Sequence, residues 1–492
     1  MNRMYINWKT VFSFASLWIT MSSAQSPDTS WTKVYGSLEN DYAREVEQTV
    51  DGGYIITGFT FAGATTCDLW LVKTDSMGDT LWTKTYGLAS VYEAGRSIDL
   101  TTDNGYIIVG TTNPGGLQED ILLVRTDSMG DTLWTKTFGQ PGAYQDFAYS
   151  VQQTTDGGYI MTGFGGLGPG GNIAPNIYLI KTDTNGNLEW FNTYDADTSW
   201  DMAFSVQQTA DQGYIIAGII SPFPYDSSDI YLIKTDSLGD TLWTKTYGGL
   251  EDEYGEAVIQ TSDGGYIVAG GTDSYGGGAR DVYVIKTDSL GDSLWTRTFG
   301  GIENDVGFSV DETDDGEYII AGSTRSYGSG LSDMYIIKVN SNGDSLWTSV
   351  IGGSGSDGAR DIHQTSDQGY IIVGDTGSFG SGSLDMYLVK ILPDTMGIRT
   401  DNLKPNHGSI MRSIQNPQRQ LIAIQYYLSK GCDVRIDIYN ALGGKIETIT
   451  KKNESPDLHL LTWNGASTPS GVYFVKFEAG DFAEVQKVVL LR

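Results

Sequence analysis

Seven copies of one segment pattern run through most of the chain, and this repetition constrains the fold more than any other feature. A variant of LWTKTYG recurs at spacings of 51 to 56 residues, measured between its tryptophans. Between successive tryptophans lie one segment like SVQQTTDGGYIIAG and one like DIYLIKTDSLGD. A fixed period of this length predicts a repeat architecture. The tryptophans are Trp31, Trp82, Trp134, Trp190, Trp243, Trp295 and Trp347.

Each repeat predicts four antiparallel strands. SVQQT alternates in polarity, which is typical of a strand. The Asp-Gly-Gly sequence after it is typical of a β-hairpin turn, because glycine accepts a positive φ without a Cβ clash. YIIAG is a short apolar run, which predicts a strand buried on both faces. DIYLIKTD and TLWTKTYG supply the third and fourth strands, joined by a turn such as Ser237–Asp240. Four strands per repeat of about 50 residues is typical of a β-propeller blade.

The phase of the repeat predicts how the ring closes. The chain enters the first repeat at Trp31 with a fourth-strand segment and leaves the last at Lys390 after a third-strand segment. The N-terminal strand should therefore complete the last blade and remove its exposed edge. The sequence thus predicts an all-β fold, with a seven-bladed β-propeller of four-stranded blades over residues 25–393.

Two repeat segments, Asp263–Thr272 and Asp281–Gly301, resemble the propeller repeats of bacterial secreted and surface proteins. The resemblance covers about three quarters of the chain. The resemblance implies the fold specifically, but it implies almost nothing about activity or ligands.

The N-terminus predicts an export signal over residues 1–24. The basic residues Arg3 and Lys9 precede the short apolar stretch Thr10–Met21, and small residues follow it at Ser22–Ala24. The apolar stretch is too short to span a membrane. The formal charge of −30 disfavours nucleic acid and anionic lipid as partners. We therefore expect the protein to be secreted or held at the outer cell surface. We also expect it to be a monomer.

A composition shift marks a second domain, because the residues from Arg399 onward carry a net charge of +3. Residues 394–409 predict a linker, and short strands from Ile410 predict a small Ig-like β-sandwich over 410–492. This region resembles the type A sorting domains of type IX secretion, which implies that residues 410–492 contact that secretion machinery. A generic Ig-like module is the alternative. The matching segments are Asn416-Pro417, Ile424–Leu428, Ile438–Gly443, Trp463–Gly465, Ser470–Tyr473 and Lys487–Arg492.

One acidic residue precedes the first-strand valine or isoleucine by five positions in every repeat. Sevenfold symmetry predicts a ring of these acids at one mouth of the central channel, where like charges recruit cations. The alternative is structural, with each carboxylate accepting backbone N–H bonds that fasten one blade to the next. The acids are Asp41, Glu93, Asp146, Asp201, Glu253, Asp305 and Asp357.

The loops between the second and third strands vary most and open on the same face. They carry aromatic residues among glycine and serine, which predicts either a binding face for a glycan or protein, or packing of each ring within its own loop. The residues are Tyr225, Tyr275, Tyr327 and Phe379. The fourth repeat departs from the others at Trp200, Pro222 and Pro224, so it is a further place to look for a site.

No cofactor is predicted. Cys67 and Cys432 lie in different predicted domains, which disfavours a disulfide, and no Cys/His cluster has the spacing of zinc ligands. His363 stands where other repeats carry glutamine, which favours a substituted polar residue over a catalyst. Turns such as Asp236–Asp240 and Asn340–Asp344 resemble calcium loops, but aspartate in a turn also bonds its own backbone. Calcium is the alternative to an ion-free protein.

These observations favour a non-enzymatic, secreted or cell-surface binding or scaffold protein with no catalytic residues. One alternative is a propeller glycoside hydrolase or lyase that uses the mouth carboxylates. Near-identical repeats weaken it, because they offer no pair of acids whose environments would separate their pKa values. The other alternative is a structural surface-layer or adhesion component.

Overall fold

The computed structural model describes residues 26–394 and 410–490, apart from 62–65, 88–90, 114–118, 140–144, 167–174, 195–198 and 223–226 in the first stretch and 417–420, 429, 441–442, 456–457, 465–467, 470 and 481 in the second. These described residues form 35 strands and no helix, so the protein is all-β as predicted. The predicted export signal at 1–24 lies outside them.

Seven four-stranded antiparallel sheets follow one another along the described part of residues 26–394, and they are the blades of a propeller. Six of these sheets take their strands in chain order from the centre outward, and the seventh has β1 as its outermost strand. The blades are β2 (Asp41–Gln48), β3 (Tyr54–Phe61), β4 (Cys67–Thr74) and β5 (Thr80–Tyr86); β6 (Glu93–Leu100), β7 (Tyr106–Thr112), β8 (Asp120–Thr126) and β9 (Thr132–Phe138); β10 (Asp146–Gln153), β11 (Tyr159–Gly165), β12 (Asn176–Thr182) and β13 (Leu188–Tyr194); β14 (Ser199–Gln208), β15 (Tyr214–Pro222), β16 (Asp229–Thr235) and β17 (Thr241–Tyr247); β18 (Glu253–Gln260), β19 (Tyr266–Thr272), β20 (Asp281–Thr287) and β21 (Ser293–Phe299); β22 (Asp305–Glu312), β23 (Tyr318–Thr324), β24 (Asp333–Val339) and β25 (Ser345–Ile351); and β26 (Asp357–Gln364), β27 (Tyr370–Thr376) and β28 (Asp385–Ile391) with β1 (Thr29–Tyr35).

The N-terminal strand closes the ring as the repeat phase predicts. β1 pairs antiparallel with β28, with Trp31 opposite Lys390 and Tyr35 opposite Met386. The closure continues at the centre, where the backbone N–H of Asp41 donates to the Leu384 carbonyl at 2.8 Å. The last blade is therefore built from both ends of the propeller, and β1 covers the outer edge that β28 would otherwise expose.

The repeated tryptophan and tyrosine explain why the motif recurs. In each blade, the outer-strand tryptophan packs edge-on or tilted against the second-strand tyrosine of the next blade, with ring centroids 5.8 to 6.3 Å apart. Apolar side chains of the second and third strands fill the space between adjacent sheets, for example Ile267 and Val284 of one blade against Val310 and Ile320 of the next. The core is therefore a set of seven interfaces between blades.

The C-terminal region forms two sheets. β29 (Ile410–Asn416), β30 (Leu421–Tyr427) and β33 (Leu458–Asn464) make one, and the other has the order β32 (Lys445–Glu454), β31 (Cys432–Asn440), β34 (Gly471–Ala479) and β35 (Phe482–Leu490). Buried side chains of both sheets, such as Tyr426 and Phe477, share one core, as expected of a sandwich.

Two further findings concern the whole described chain. Cys67 is buried and Cys432 partly buried, and both are free thiols. Within the described residues, no helix has the length and apolarity needed to cross a membrane.

Candidate functional site

The innermost strands of all seven blades line one central channel with a cavity of about 310 Å³. These strands are β2, β6, β10, β14, β18, β22 and β26. They run from the face that carries the loops between second and third strands, here called the loop face, toward the Asp-Gly-Gly turns. The volume is at the lower end of the range for small-molecule sites.

Every inner strand has a β-bulge at the same position, two residues before its valine or isoleucine. In β2, for example, Ala43 pairs with Gly58 and Glu45 pairs with Thr57, which leaves Arg44 unpaired. A bulge turns an extra side chain toward one face of the strand. Here that face is the channel, and the seven bulged residues, which we call the collar, are Arg44, Arg96, Tyr149, Phe204, Glu256, Phe308 and Arg360.

The collar breaks the symmetry of the repeat. Its three arginines lie on the seventh, first and second blades, which are consecutive around the ring. Arg44 and Arg360 share the Asp375 carboxylate, at 3.5 and 3.3 Å. Arg44 and Arg96 lie 5.0 and 5.9 Å from the centre of the Phe59 ring. The three guanidinium groups therefore form one contiguous arc.

Aromatic rings continue this arc on both sides. Arg96 lies 5.2 Å from the Tyr149 ring centre, and Tyr149 meets Phe204 edge-on at 5.4 Å. At the other end, Arg360 lies 4.7 Å from the Phe308 ring centre. Burial, together with the neighbouring Arg360 and Arg96 charges, lowers the pKa of Arg44 to about 10 against the opposing effect of Asp375. Three positive charges thus lie close together in the arc, beside the aromatic side chains that line the channel.

Acidic side chains lie deeper in the channel, and most of them bind backbone N–H groups of the adjacent blade. Glu45 accepts from Ile98 at 2.6 Å and Asp361 from Val46 at 3.0 Å. In other blades a serine takes the place of the acid, as where Ser205 accepts from Val258 at 3.1 Å. This belt of hydrogen bonds links neighbouring blades around the ring. It is interrupted at Ala257, whose side chain has no oxygen to accept the Val310 N–H.

His363 belongs to this acidic layer. Its Nε2 lies 3.2 Å from Asp361 and its Nδ1 lies 3.7 Å from Asp311. Although burial opposes protonation, the Asp361 and Glu47 carboxylates raise the pKa of His363 well above its usual value. Ser309 donates to Asp361 at 2.8 Å rather than to the imidazole, so these groups do not form the Ser–His contact that activates a nucleophile. His363 is a cation among carboxylates.

Three glutamates of the channel have raised pKa values, and for Glu45 burial and the neighbouring Asp361 carboxylate raise the pKa well above its usual range. Burial raises the pKa of Glu47 to about 7, although His363 lowers it. Burial also raises the pKa of Glu256, the acidic member of the collar, to about 7 against the opposing charges of Arg360 and Arg280. Glu47 and Glu256 thus titrate close to neutrality.

The seven predicted mouth acids lie at or near the start of the inner strands, as the symmetry predicts, but they do not line the cavity. All seven are buried. In several blades the carboxylate accepts the N–H of the residue four positions before it, as Asp305 does from Gly301 at 2.8 Å and Asp357 does from Gly353 at 2.8 Å. Their expected placement around the open channel mouth is therefore wrong, because the loops that enter the inner strands fold over them.

The cation alternative for these acids stays a prediction. Asp41 Oδ1 and Asp385 Oδ1 are buried without a hydrogen-bond partner, and both carboxylates approach Gly36, where a Cβ would lie 1.8 Å from Asp385 and 2.9 Å from Asp41. A melting temperature that rises on adding calcium would establish it.

The predicted binding-face aromatics are half-exposed and also packed. Tyr275 is 45% exposed, yet its hydroxyl donates to the Gly248 carbonyl at 2.8 Å and its ring lies 5.6 Å from Tyr283. Tyr327 repeats this arrangement with Gly300 at 2.6 Å. Phe379 is 42% exposed and packs 5.4 Å from Tyr387. Each ring is thus held by its own blade while one side stays accessible.

Two of the residues singled out in the sequence, Tyr225 and Pro224, lie outside the described residues. The departures at Trp200 and Pro222 lengthen the fourth blade, because Trp200 pairs with Ser221 in an extension of β14 and β15 toward the loop face. Trp200 is not among the described residues that line the channel cavity.

Candidate cation ligands elsewhere are already committed to other contacts. Asp315, Glu317 and Asp394 come close together, but the buried Lys338 Nζ lies 3.7, 3.3 and 3.1 Å from them. In the turn at Asp236, the carboxylate accepts the N–H groups of Leu238 and Asp240 at 2.9 Å each. These oxygens stabilise the protein's own lysine and turns.

The collar was not predicted from the sequence. The sign was present, because the residue two positions before each valine or isoleucine is arginine in three repeats, aromatic in three and glutamate in one. Simple strand alternation assigns that position to the wrong face, and only the bulge directs it into the channel.

The fold and the C-terminal region define the class: a seven-bladed β-propeller joined to a secretion sorting domain. Residues 416–491 match the family of the secretion system C-terminal sorting domain. This domain indicates a secreted or cell-surface protein that interacts with the type IX secretion machinery. The chain is also 27% identical over 172 residues to the regulatory protein FlaEY of Caulobacter vibrioides, which covers 30% of this chain and 18% of that relative. The chain thus spans less than a fifth of that curated relative.

Several solved structures are similar at low identity. The β-propeller domain of the trilobed protease from Pyrococcus furiosus is 9% identical, covering 72% of this chain and 94% of its own, with a TM-score of 0.39. A protein of unknown function from Dyadobacter fermentans is 12% identical, covering 75% and 99%, with a TM-score of 0.42. A GH43_1 enzyme from Xanthomonas citri complexed with xylose is 11% identical, covering 62% and 88%, with a TM-score of 0.31.

Proposed function

We propose that this chain is a non-enzymatic binding protein, exported through type IX secretion, whose ligand binds at the loop-face end of the central channel. The collar carries the proposal. Its positions are equivalent in all seven blades, yet they hold arginine, aromatic and acidic side chains on a rigid, closed ring. Structural needs repeat with the symmetry, whereas recognition of an asymmetric ligand requires that the symmetry be broken.

Binding accounts for the collar better than catalysis does. A hydrolase or lyase that uses the seven mouth acids would need them at the cavity, and their carboxylates are instead buried under loops. Glu256 is the one collar acid, and general acid–base chemistry on a glycosidic bond ordinarily requires two carboxyl groups across the substrate. The deeper acids, such as Asp361, are bound to backbone N–H groups and to His363.

The test is a panel of glycans and surface proteins probed with the full chain, followed by titration calorimetry on any ligand found. Phe204→Ala removes a collar ring, and Leu250→Ala removes a side chain that is 90% exposed just before β18. We expect Phe204→Ala to weaken binding about tenfold, which is about 1.4 kcal/mol, and Leu250→Ala to leave it unchanged.

Other results would support the alternatives. Release of products from a polysaccharide, lost in Glu256→Gln, would show an enzyme. Binding that depends on Tyr275 rather than on Phe204 would move the site to the loop aromatics. Absence of any ligand across the panel would support the structural surface-layer alternative.

A further inference from the structure

We infer that the collar recognises a carboxylate, carried on a small saccharide of the uronic-acid type. This inference rests on the proposed function, because it names the ligand class of the same site. It starts from the charge balance of the arginine arc. Arg44, Arg96 and Arg360 contribute three positive charges, and Asp375 is the one carboxylate that pairs with any of them among the described residues.

Arg96 is the member of the arc with unused hydrogen-bonding capacity. Among the described residues its guanidinium forms no ion pair, and its Nε is buried without a hydrogen-bond partner. Two aromatic rings lie beside its guanidinium, with the Tyr149 ring centre at 5.2 Å and the Phe59 ring centre at 5.9 Å. A guanidinium presents a planar fork of N–H donors that matches a carboxylate. The fork is therefore fixed in position while its donors remain available.

The arginines are not required to neutralise the acids deeper in the channel. Glu45, Asp99 and Asp361 each accept a backbone N–H from the next blade, at 2.6, 2.6 and 3.0 Å. His363 supplies a positive charge within that layer. The channel is thus positive along the arginine arc and acidic below it, which would hold an anionic group at the arc and keep it from passing deeper.

The aromatic neighbours favour a saccharide as the carrier of the carboxylate. Phe308 and Tyr149 flank the arc, and each lies within 5.2 Å of a guanidinium. A sugar ring has an apolar face that packs on such rings while its carboxylate reaches the fork. The cavity of about 310 Å³ suits a small molecule. The overall charge of −30 disfavours a long polyanion lying across the surface, so we expect a short ligand or a chain end.

The experiment is calorimetric titration of the full chain with glucuronate and galacturonate, each beside its neutral parent sugar, and with sulfate, phosphate and a short acidic peptide. We expect the uronates to bind at least tenfold more tightly than glucose and galactose. Arg96→Gln should weaken uronate binding about 10- to 100-fold, as the loss of charge-assisted hydrogen bonds implies. Arg96→Lys should lose less, and Arg297→Gln, which removes a partly exposed arginine on the outer strand β21, should leave uronate binding unchanged.

A thermal assay keeps the inference testable if Arg96→Gln fails to fold, because a uronate that binds only the native chain raises its melting temperature. Neutral sugars that bind as well as uronates, with no effect of Arg96→Lys, would overturn the inference and leave the proposed function standing. Equal binding of sulfate or phosphate would overturn the choice of carboxylate, and tighter binding of the peptide would overturn the choice of a saccharide. No binding and no thermal shift at millimolar ligand would overturn the inference entirely.

Discussion

The closure of the ring by the N-terminal strand predicts that Trp31 matters as much as an internal tryptophan. Trp31 packs 6.0 Å from Tyr54, and Trp243 packs 5.8 Å from Tyr266. Both indoles also lie against a turn glycine of the next blade. A Cβ at Gly78 would be 2.7 Å from the Trp31 ring, and a Cβ at Gly291 would be 2.8 Å from the Trp243 ring. The two sites are therefore matched, except that one depends on a strand from the start of the chain.

The cost of each substitution follows from the packing. Truncating a mostly buried tryptophan uncovers about 150 Å² of apolar surface at about 25 cal/mol per Å², and an edge-on aromatic pair contributes about 1 kcal/mol more. Because the unfolded chain is itself partly compact, we expect about 3 kcal/mol for Trp31→Ala and for Trp243→Ala. In a unit of this size, 1 kcal/mol lowers the melting temperature by about 1 to 2 °C.

The assay is thermal unfolding of the full chain, followed by circular dichroism and calorimetry. Both variants should melt about 3 to 6 °C below the unmodified protein, and their shifts should agree within experimental error. A full shift for Trp243→Ala beside no shift for Trp31→Ala would refute the reasoning, because it would mean that β1 is a dispensable addition to an open ring.

Three further predictions concern the belt, the collar acid and export. Ala257→Ser should raise the free energy of unfolding by about 1 kcal/mol, because the new hydroxyl can accept the Val310 N–H, and Ser205→Ala should lower it by a similar amount. Denaturant titration measures both changes. If neither variant changes the free energy of unfolding, the belt does not stabilise the protein. Burial raises the pKa of Glu256 to about 7, so the free energy of unfolding should fall as pH rises from about 4.5 to 7. Glu256→Gln should reduce that fall, so that the variant matches the unmodified chain at pH 5 and is more stable by about 2 kcal/mol at pH 8. Parallel pH profiles of the two proteins would contradict this prediction. Deleting residues 410–492 should abolish extracellular accumulation of the chain without changing the propeller's melting temperature, and continued export would disprove the sorting role.

The symmetry of the sequence explains why so much of the fold was predictable. Each repeat carries its own turn chemistry and its own apolar strands, so the four-stranded blade follows from local pattern alone. The closure followed from phase, because the segment at Trp31 is of the fourth-strand type and its partner is the third-strand segment that contains Lys390. The repetition of the pair formed by Trp31 and Tyr54 also fits its structural role, since each such pair spans two blades.

The candidate site was harder to predict because three-dimensional effects decide it. Arg44 and Arg360 are far apart in sequence, and only closure of the ring places both on Asp375. The bulge reverses the face that alternation assigns to each collar residue. The mouth acids show the converse effect, since loops such as the one at Gly301 cover Asp305 and remove it from the channel. The blades and their order thus follow from local periodicity, which is visible in the amino-acid sequence. Tertiary structure alone decided which side chains reach the channel, because that depends on one extra residue per strand and on contacts across the ring.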